Sequence, residues 1–210
     1  MRSDALVAAL ADVELPTLGH TLEKGFCGPG IRAVGDVRRT AGIARTLELA
    51  EPDALAVNEA LLALQPGDML VIAVASGVHA PVGAVTTAGA RAQGAVGIVV
   101  DGPVTDVRVL ADRARDLPVW STGTTARTTK RLGRPVRLDV PVSIGDATVR
   151  PGDVVAGDEH GVLVLRPEEV EQRLLDEARA SDEAEPTLLA RIAAGEPLET
   201  LIARTPTEIR

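Results

Sequence analysis

The chain predicts an α/β fold, and three observations predict it. Two short apolar runs, Met69–Ala75 and Val96–Val100, are bounded by turn formers and have the length of strands buried on both faces, as in parallel sheets covered by helices. Stretches of helical composition, Gly83–Gln93 and Val107–Arg115, lie between and after them. Beyond Pro135, short strand candidates follow one another closely, separated by Pro and Gly-Asp turns, which indicates an antiparallel layer or a small barrel.

Taken in order, two short helices open the chain. The first spans Asp4–Asp12 with Ser3 as its cap, and the second spans Thr17–Lys24, ended by Gly25 and the Gly28-Pro29-Gly30 cluster. Gly42–Leu49 partly alternates apolar and polar residues and reads as a half-buried strand. Glu51-Pro52-Asp53 begins a helix over Ala54–Leu64, with Leu55, Leu61, Leu62 and Ala63 as its apolar side, and Pro66-Gly67-Asp68 stops it. The strand Met69–Ala75 runs into the loop Ser76–Pro81, and the strand Val96–Val100 into the turn Asp101-Gly102-Pro103, with Asp106 placed to cap the helix that follows. Leu117–Ser121 is a further strand and Thr122–Lys130 a polar loop. The later strand candidates are Val136–Val140, Val142–Ile144, Ala147–Val149, Asp153–Val155 and Val162–Leu165, with His160 in the last hairpin turn. Arg166–Ala180 reads as a helix begun at Pro167, with Glu168 and Glu169 in its first turn; Pro186–Ala194 and Leu198–Arg204 read as two more short helices.

Composition narrows the function classes. The 210 residues, 45% of them hydrophobic, suffice for a core, and with 1% aromatic content that core must be aliphatic. A net charge of −8, without a basic stripe or stacking aromatics, argues against a nucleic-acid partner. Cys27 is the single cysteine, so an intrachain disulfide and a thiolate metal cluster are excluded, and its Gly/Pro-rich setting suits a small filler. The opening residues lack a signal peptide's basic start and apolar core, and no apolar run approaches the ~20 residues that span a bilayer. A soluble cytoplasmic protein without membrane attachment is expected.

In sheets of this kind, ligand-binding groups gather beyond the carboxyl ends of the strands. Asp101 and Asp106 fall there, and His79 lies in the equivalent loop one strand earlier; His79, as a base or substrate contact, and Asp101 are the catalytic candidates. Each also has a plain role: Asp106 as a helix cap, Asp101 satisfying turn backbone, His79 as a solvated loop histidine. Gly83 permits either close approach of backbone to a ligand or close helix packing. Arg108, Arg127 and Lys130 are nearby cations whose simplest state is solvated.

The order GDMLV at Gly67, a Gly/His loop, GAVGIVVDGPVTD, LPVWSTG and VRPGDVVAGDEHGVLVL resembles the RraA-like family, over roughly Ile31–Ala180. That family contains 4-hydroxy-4-methyl-2-oxoglutarate aldolases with oxaloacetate decarboxylase activity, and inhibitors of ribonuclease E. The resemblance implies a three-layer β/β/α fold of the swivelling-domain type over residues 31–180, flanked by helical extensions at 1–30 and 181–210. It also implies a homotrimer or dimer of trimers with sites between subunits. By position, the substrate-binding segment at the start of the helix is Gly83-Ala84-Val85-Thr86, and the Arg-Asp pair of the aldolases falls on Thr105-Asp106, with Asp106 as the metal ligand.

This chain departs from the aldolase pattern at three positions. Thr105 replaces the arginine, Ala84 stands where an acid usually follows the glycine, and Val109 where an acid commonly follows the pair. Losing the arginine removes a bidentate partner for a carboxylate or enolate, and threonine offers one neutral hydrogen bond instead. A Thr-Asp pair together with Leu18-Gly19-His20 resembles a recurring subgroup of the family.

The chemistry independently favours a metal. Cleaving a 2-oxo-4-hydroxy acid leaves the enolate of pyruvate, whose charge a divalent cation stabilises. Mg²⁺ or Mn²⁺ held by the single Asp106 and by water would suffice. Lys24 and Lys130 are the only lysines, and neither sits in an apolar strand end suited to a Schiff base. The expectation is a class II-type lyase acting on a small 2-oxo acid, against the alternative of a non-catalytic regulatory protein.

Overall fold

A computed structural model describes residues 1–75 and 77–202. Its centre is an eight-stranded mixed sheet in which β2 (Thr40–Leu49), β3 (Asp68–Val74), β4 (Gly97–Val104) and β5 (Val119–Thr124) run parallel. β9 (Val154–Asp158) adds antiparallel to β2, and β10 (Gly161–Leu165) antiparallel to β9. The short β1 (Arg32–Ala33) pairs β5 at the other edge, and β6 (Arg137–Leu138) pairs β2. The segment that leads into and just past β1 nearly closes this sheet on itself, since Cys27 N–H donates to the Val162 carbonyl of β10 while Val34 N–H donates to the Val119 carbonyl of β5.

Alternation along the buried strands sorts the side chains into two layers. Leu70, Ile72, Ile98 and Val100 face the helices α3 (Ala54–Ala63), α4 (Ala84–Ala92) and α5 (Val107–Asp112). Met69, Val71 and Val99 face the opposite way, toward the two-stranded hairpin β7–β8 (Val142–Ile144 and Ala147–Val149). Hairpin, sheet and helices make the three-layer β/β/α architecture. Each fully buried aliphatic side chain contributes roughly 1.5–3 kcal/mol. The single tryptophan is the exception to an aliphatic core: Trp120 is wholly buried against Gly157, where a Cβ would lie 2.5 Å from the ring, and its indole N–H donates to the Asp158 carbonyl at 2.8 Å.

A third apolar cluster joins α1 (Ser3–Asp12), α2 (Leu15–Gly19) and the start of α6 (Gln172–Ala193) to β9 and β10. The flanking helices therefore pack on the sheet. Buried Asp158 fixes α2 there, accepting from Leu15 N–H while also holding the His160 turn. No helix among the described residues is long and apolar enough to cross a membrane.

Several elements differ from expectation. Ser3 lies within α1, whose cap residue Arg2 makes no side-chain cap bond. α2 starts two residues early because Pro16 suits a helix's first turn, and it ends at Gly19, five residues before the expected Lys24. β2 is largely buried on both faces, being flanked by β3 and β9 and covered by two layers. α3 packs through the small Ala56, Val57 and Ala60, leaving Leu62 69% exposed and Leu55 at the surface. β4 continues through Asp101-Gly102-Pro103 to Val104; a register shift between Val100 and Pro103 absorbs the proline that was expected to end it. β5 likewise runs on to Thr124. Of the later strands, β9 and β10 extend the main sheet, and only β7–β8 stand apart. A 3₁₀ turn occupies Pro167–Glu169, and the helices expected at 166–180 and 186–194 are one helix, α6, with Pro186 inside it. The last expected helix is a 3₁₀ turn at Leu198–Thr200, and its end at 203–204 lies outside the described residues.

Candidate functional site

The carboxyl ends of β3 and β4 meet at one corner. An isolated parallel bridge joins Val82 to Val104, and Thr105 N–H donates to the Val82 carbonyl at 3.0 Å. This brings the residue before Gly83 beside the residue before Thr105. Asp106 then turns the chain into α5 in the left-handed region, φ 52° and ψ 36°, a conformation that Asp tolerates better than most residues.

Asp106 occupies the cap position of α5 but makes no side-chain cap bond to that helix. Its Oδ2 instead accepts the Ala84 backbone N–H at 2.9 Å, so it caps the neighbouring helix α4. The first amide of α4 thus donates to a carboxylate carried at the start of α5. Gly83 is buried at the contact: a Cβ there would lie 2.6 Å from Asp106 Oδ2 and 2.8 Å from Thr105 Cγ2. Gly83 is extended, so its requirement is space and not backbone freedom.

Of the expected site residues, the structure gathers Gly83, Ala84, Val85, Thr86, Thr105 and Asp106. Val85 is 85% exposed on the first turn of α4, and Thr86 is half-buried with its hydroxyl donating to the Pro81 carbonyl at 3.2 Å. Asp101 lies within β4 and reaches the hairpin layer, where its Oδ2 accepts Gly145 N–H at 2.9 Å. That bond ties sheet to hairpin and is made on the opposite face from α4. His79 is half-buried, with Nδ1 shielded from solvent and without a hydrogen-bond partner among the described residues. The next residue is pinned, since Ala80 N–H donates to the Arg127 carbonyl at 2.7 Å. The side chains of Arg108, Arg127 and Lys130 are exposed.

Cys27 is buried, and that burial, followed by the nearby Asp101 and Asp146 carboxylates, pushes its thiol up to about 12. It is therefore an uncharged thiol at neutral pH, as a filler should be. Asp53 was legible only as the start of α3. It is 1% exposed, and its carboxylate accepts Leu55 N–H at 2.9 Å, Leu132 N–H at 3.0 Å and Arg134 N–H at 2.7 Å, clamping the 132–134 segment to that helix.

Comparison with known proteins identifies the family and the fold. A sequence model of the RraA-like family, described as Aldolase/RraA, matches residues 7–164. A relative from Halalkalibacterium halodurans, named "Putative 4-hydroxy-4-methyl-2-oxoglutarate aldolase", is 36% identical over 158 residues, 73% of each chain. The crystal structure of Streptomyces coelicolor RraAS2, described as an unusual member of the RNase ES inhibitor RraA protein family, is 28% identical. It aligns over 89% of this chain and 96% of its own with a TM-score of 0.69. A Pseudomonas syringae protein of 23% identity shares the fold over 94% of this chain and 92% of its own, with a TM-score of 0.77. The chain belongs to the RraA-like family.

Proposed function

We propose that the chain is a metal-assisted carbon–carbon lyase of the class II aldolase type, releasing pyruvate from a small 2-oxo acid at the Asp106 corner. The observation that carries this reading is the exposed Asp106 carboxylate, held over the first amide of α4 by a left-handed backbone. The name of the Halalkalibacterium halodurans relative supports the reaction class.

The donor set fits a hard, largely hydrated cation. Asp106 offers one carboxylate, with Oδ2 already engaged by Ala84, and no group of three His, Cys, Asp or Glu side chains is gathered among the described residues. Such a set suits Mg²⁺ or Mn²⁺, which keep several waters, and does not suit a zinc cage. Bound at Asp106, the ion would stabilise negative charge on an enolate oxygen as a Lewis acid. The chain's own groups do the rest. The Val85 and Thr86 amides open α4, have no intrahelical partner and lie at the positive end of its dipole, where a substrate carboxylate is stabilised. Gly83 keeps the approach open, Thr105 offers a neutral hydroxyl, and His79 is the group available to move a proton.

In this reading a second copy completes the site within a homotrimer or dimer of trimers. Support comes from exposed valines around the corner: Val85, Val78 at 44%, Val109 at 42% and Val107 at 38%. Light scattering at micromolar concentration should find no monomer.

The experiment that tests the function is pyruvate release from 4-hydroxy-4-methyl-2-oxoglutarate, related 4-hydroxy-2-oxo acids and oxaloacetate. Activity should vanish with a chelator and return with Mg²⁺ or Mn²⁺. A second reading, a non-catalytic regulator, is favoured by Thr105 and Ala84 standing where the aldolases carry Arg and an acid. Absence of pyruvate release from all these substrates, with metal binding and assembly demonstrated, would establish that second reading over the first.

A further inference from the structure

The connections β3–α4–β4 and β4–α5–β5 join parallel neighbours, so α4 and α5 lie side by side with both amino ends at the Asp106 corner. Between them runs a groove of about 200 Å³, lined by Ala84, Thr87, Ala88 and Arg91 of α4 and by Val109 and Arg113 on the α5 side. The α4 residues recur at helical spacing and so form one face. Small side chains form the groove's α4 wall, the buried Leu110 and Leu117 line it from below, and the Thr87 hydroxyl is already turned to the Gly83 and Ala84 carbonyls. Its far end carries two cations, Arg91 and Arg113, and one acid, Asp116. Arg91 is exposed and enters no ion pair among the described residues, while Arg113 is held only loosely by Asp116 at 3.7 Å.

We propose that this groove is the subsite for the distal carboxylate of a 2-oxo dicarboxylic acid, with Arg91 as its anchor. The assignment rests on the lyase reading above, which places the 2-oxo acid end at Asp106. Helical side chains lean toward the amino end of their helix, so Arg91 extends back toward that corner, while Arg113, which follows the last residue of α5, is turned toward Asp116. From Ala84 to Arg91 the axis rises roughly 10 Å at 1.5 Å per residue. The backward reach of the arginine shortens this to about the end-to-end length of a four- to six-carbon dicarboxylate. The groove thus supplies, from a different element, a cation that Thr105 does not. A guanidinium here would hold the far end of the substrate and leave the reacting end to Asp106 and the α4 amides.

The test compares the affinities of 2-oxoglutarate and 2-oxopentanoate, acids of equal length with two and one carboxylates, by calorimetry in the presence of Mg²⁺. Wild type should prefer the dicarboxylate, and Arg91→Gln should lose that preference by roughly tenfold, the effect of removing a charge-assisted contact. Arg108→Gln, which removes an exposed cation of α5 outside the groove, should keep it. Equal binding of the two acids by wild type, failure of wild type to bind either, or an undiminished preference in Arg91→Gln would overturn the subsite. Metal-dependent pyruvate release is scored separately, so an active lyase with an unchanged preference rejects the subsite alone. An inactive protein whose dicarboxylate preference depends on Arg91 rejects only the lyase reading.

Discussion

The Oδ2 of Asp106 and the backbone nitrogen of Ala84 are 2.9 Å apart, which makes an acid on one helix the cap of another. Gly83 stands between them, and its missing Cβ is what allows the approach. Gly83→Ala would place a methyl group 2.6 Å from that oxygen, so either the carboxylate or the start of α4 must move. Overpacking of this kind costs about 1–3 kcal/mol, and in a chain of this size each kcal/mol lowers Tm by roughly 2–4 °C. The expected variant is folded, several degrees less stable, and defective in metal binding; a melting curve paired with calorimetry checks both.

Asp106→Asn separates the electrostatic role from the structural one. The amide oxygen can still accept from Ala84, and asparagine tolerates the left-handed backbone at φ 52°. Tm should therefore stay within a degree or two of wild type, the ~0.5 kcal/mol range of a neutral substitution. Divalent-metal affinity should fall at least tenfold. Equal affinity in the two folded proteins would remove Asp106 as the ligand.

Acid stability should depend on Asp53. Burial raises its carboxyl, but the amides of Arg134, Leu55, Leu132 and Gly133 outweigh that and hold it below the usual carboxylate value. A group depressed in the fold contributes stability that is complete above its unfolded value, about 3.9, and is lost as pH falls through the lower folded value. Asp153, which burial pushes up, works in the opposite direction and gains as pH falls. Comparison with Asp53→Asn isolates the first effect: the variant should melt lower at neutral pH, and the gap between the two Tm values should narrow below about pH 4. A constant gap across that range would show that the ionised carboxylate is not what clamps Leu132 and Arg134.

How much of this was legible in the sequence follows the range of the interactions. The parallel strands and their covering helices were readable because Met69–Val74 and Gly97–Val100 carry their burial in local composition. Thr105 and Asp106 were placed near Gly83 through family resemblance, while the cap made by Asp106 on α4 spans 22 positions and leaves no local trace. Asp53 shows the same limit, since Leu132 and Arg134 are 79 and 81 residues away. Proline misled twice, at Pro103 and Pro186, because a bulge and an exposed helix face tolerate what a central position would not.

Thr105→Arg addresses the missing guanidinium directly. Thr105 N–H is fixed to the Val82 carbonyl, so substitution should leave the backbone at the corner in place, and the side chain emerges beside Gly83 where no Cβ obstructs it. A lyase that lacks one electrostatic donor should gain from its return. Such a donor is typically worth ~3 kcal/mol, or about a hundredfold in rate. Ala84 and Val109 would still stand where the aldolases carry acids, so the expected gain is smaller, roughly tenfold in kcat/KM for 4-hydroxy-4-methyl-2-oxoglutarate or oxaloacetate. If Arg91 already anchors the distal carboxylate, the gain should fall mainly on kcat, because the new guanidinium meets charge that develops in the reaction and not charge present in the bound substrate. A gain confined to KM would mean that residue 105 and Arg91 hold the same carboxylate. Activity absent in both forms, with metal bound and the assembly intact, would turn the reading of this corner from catalysis to interaction.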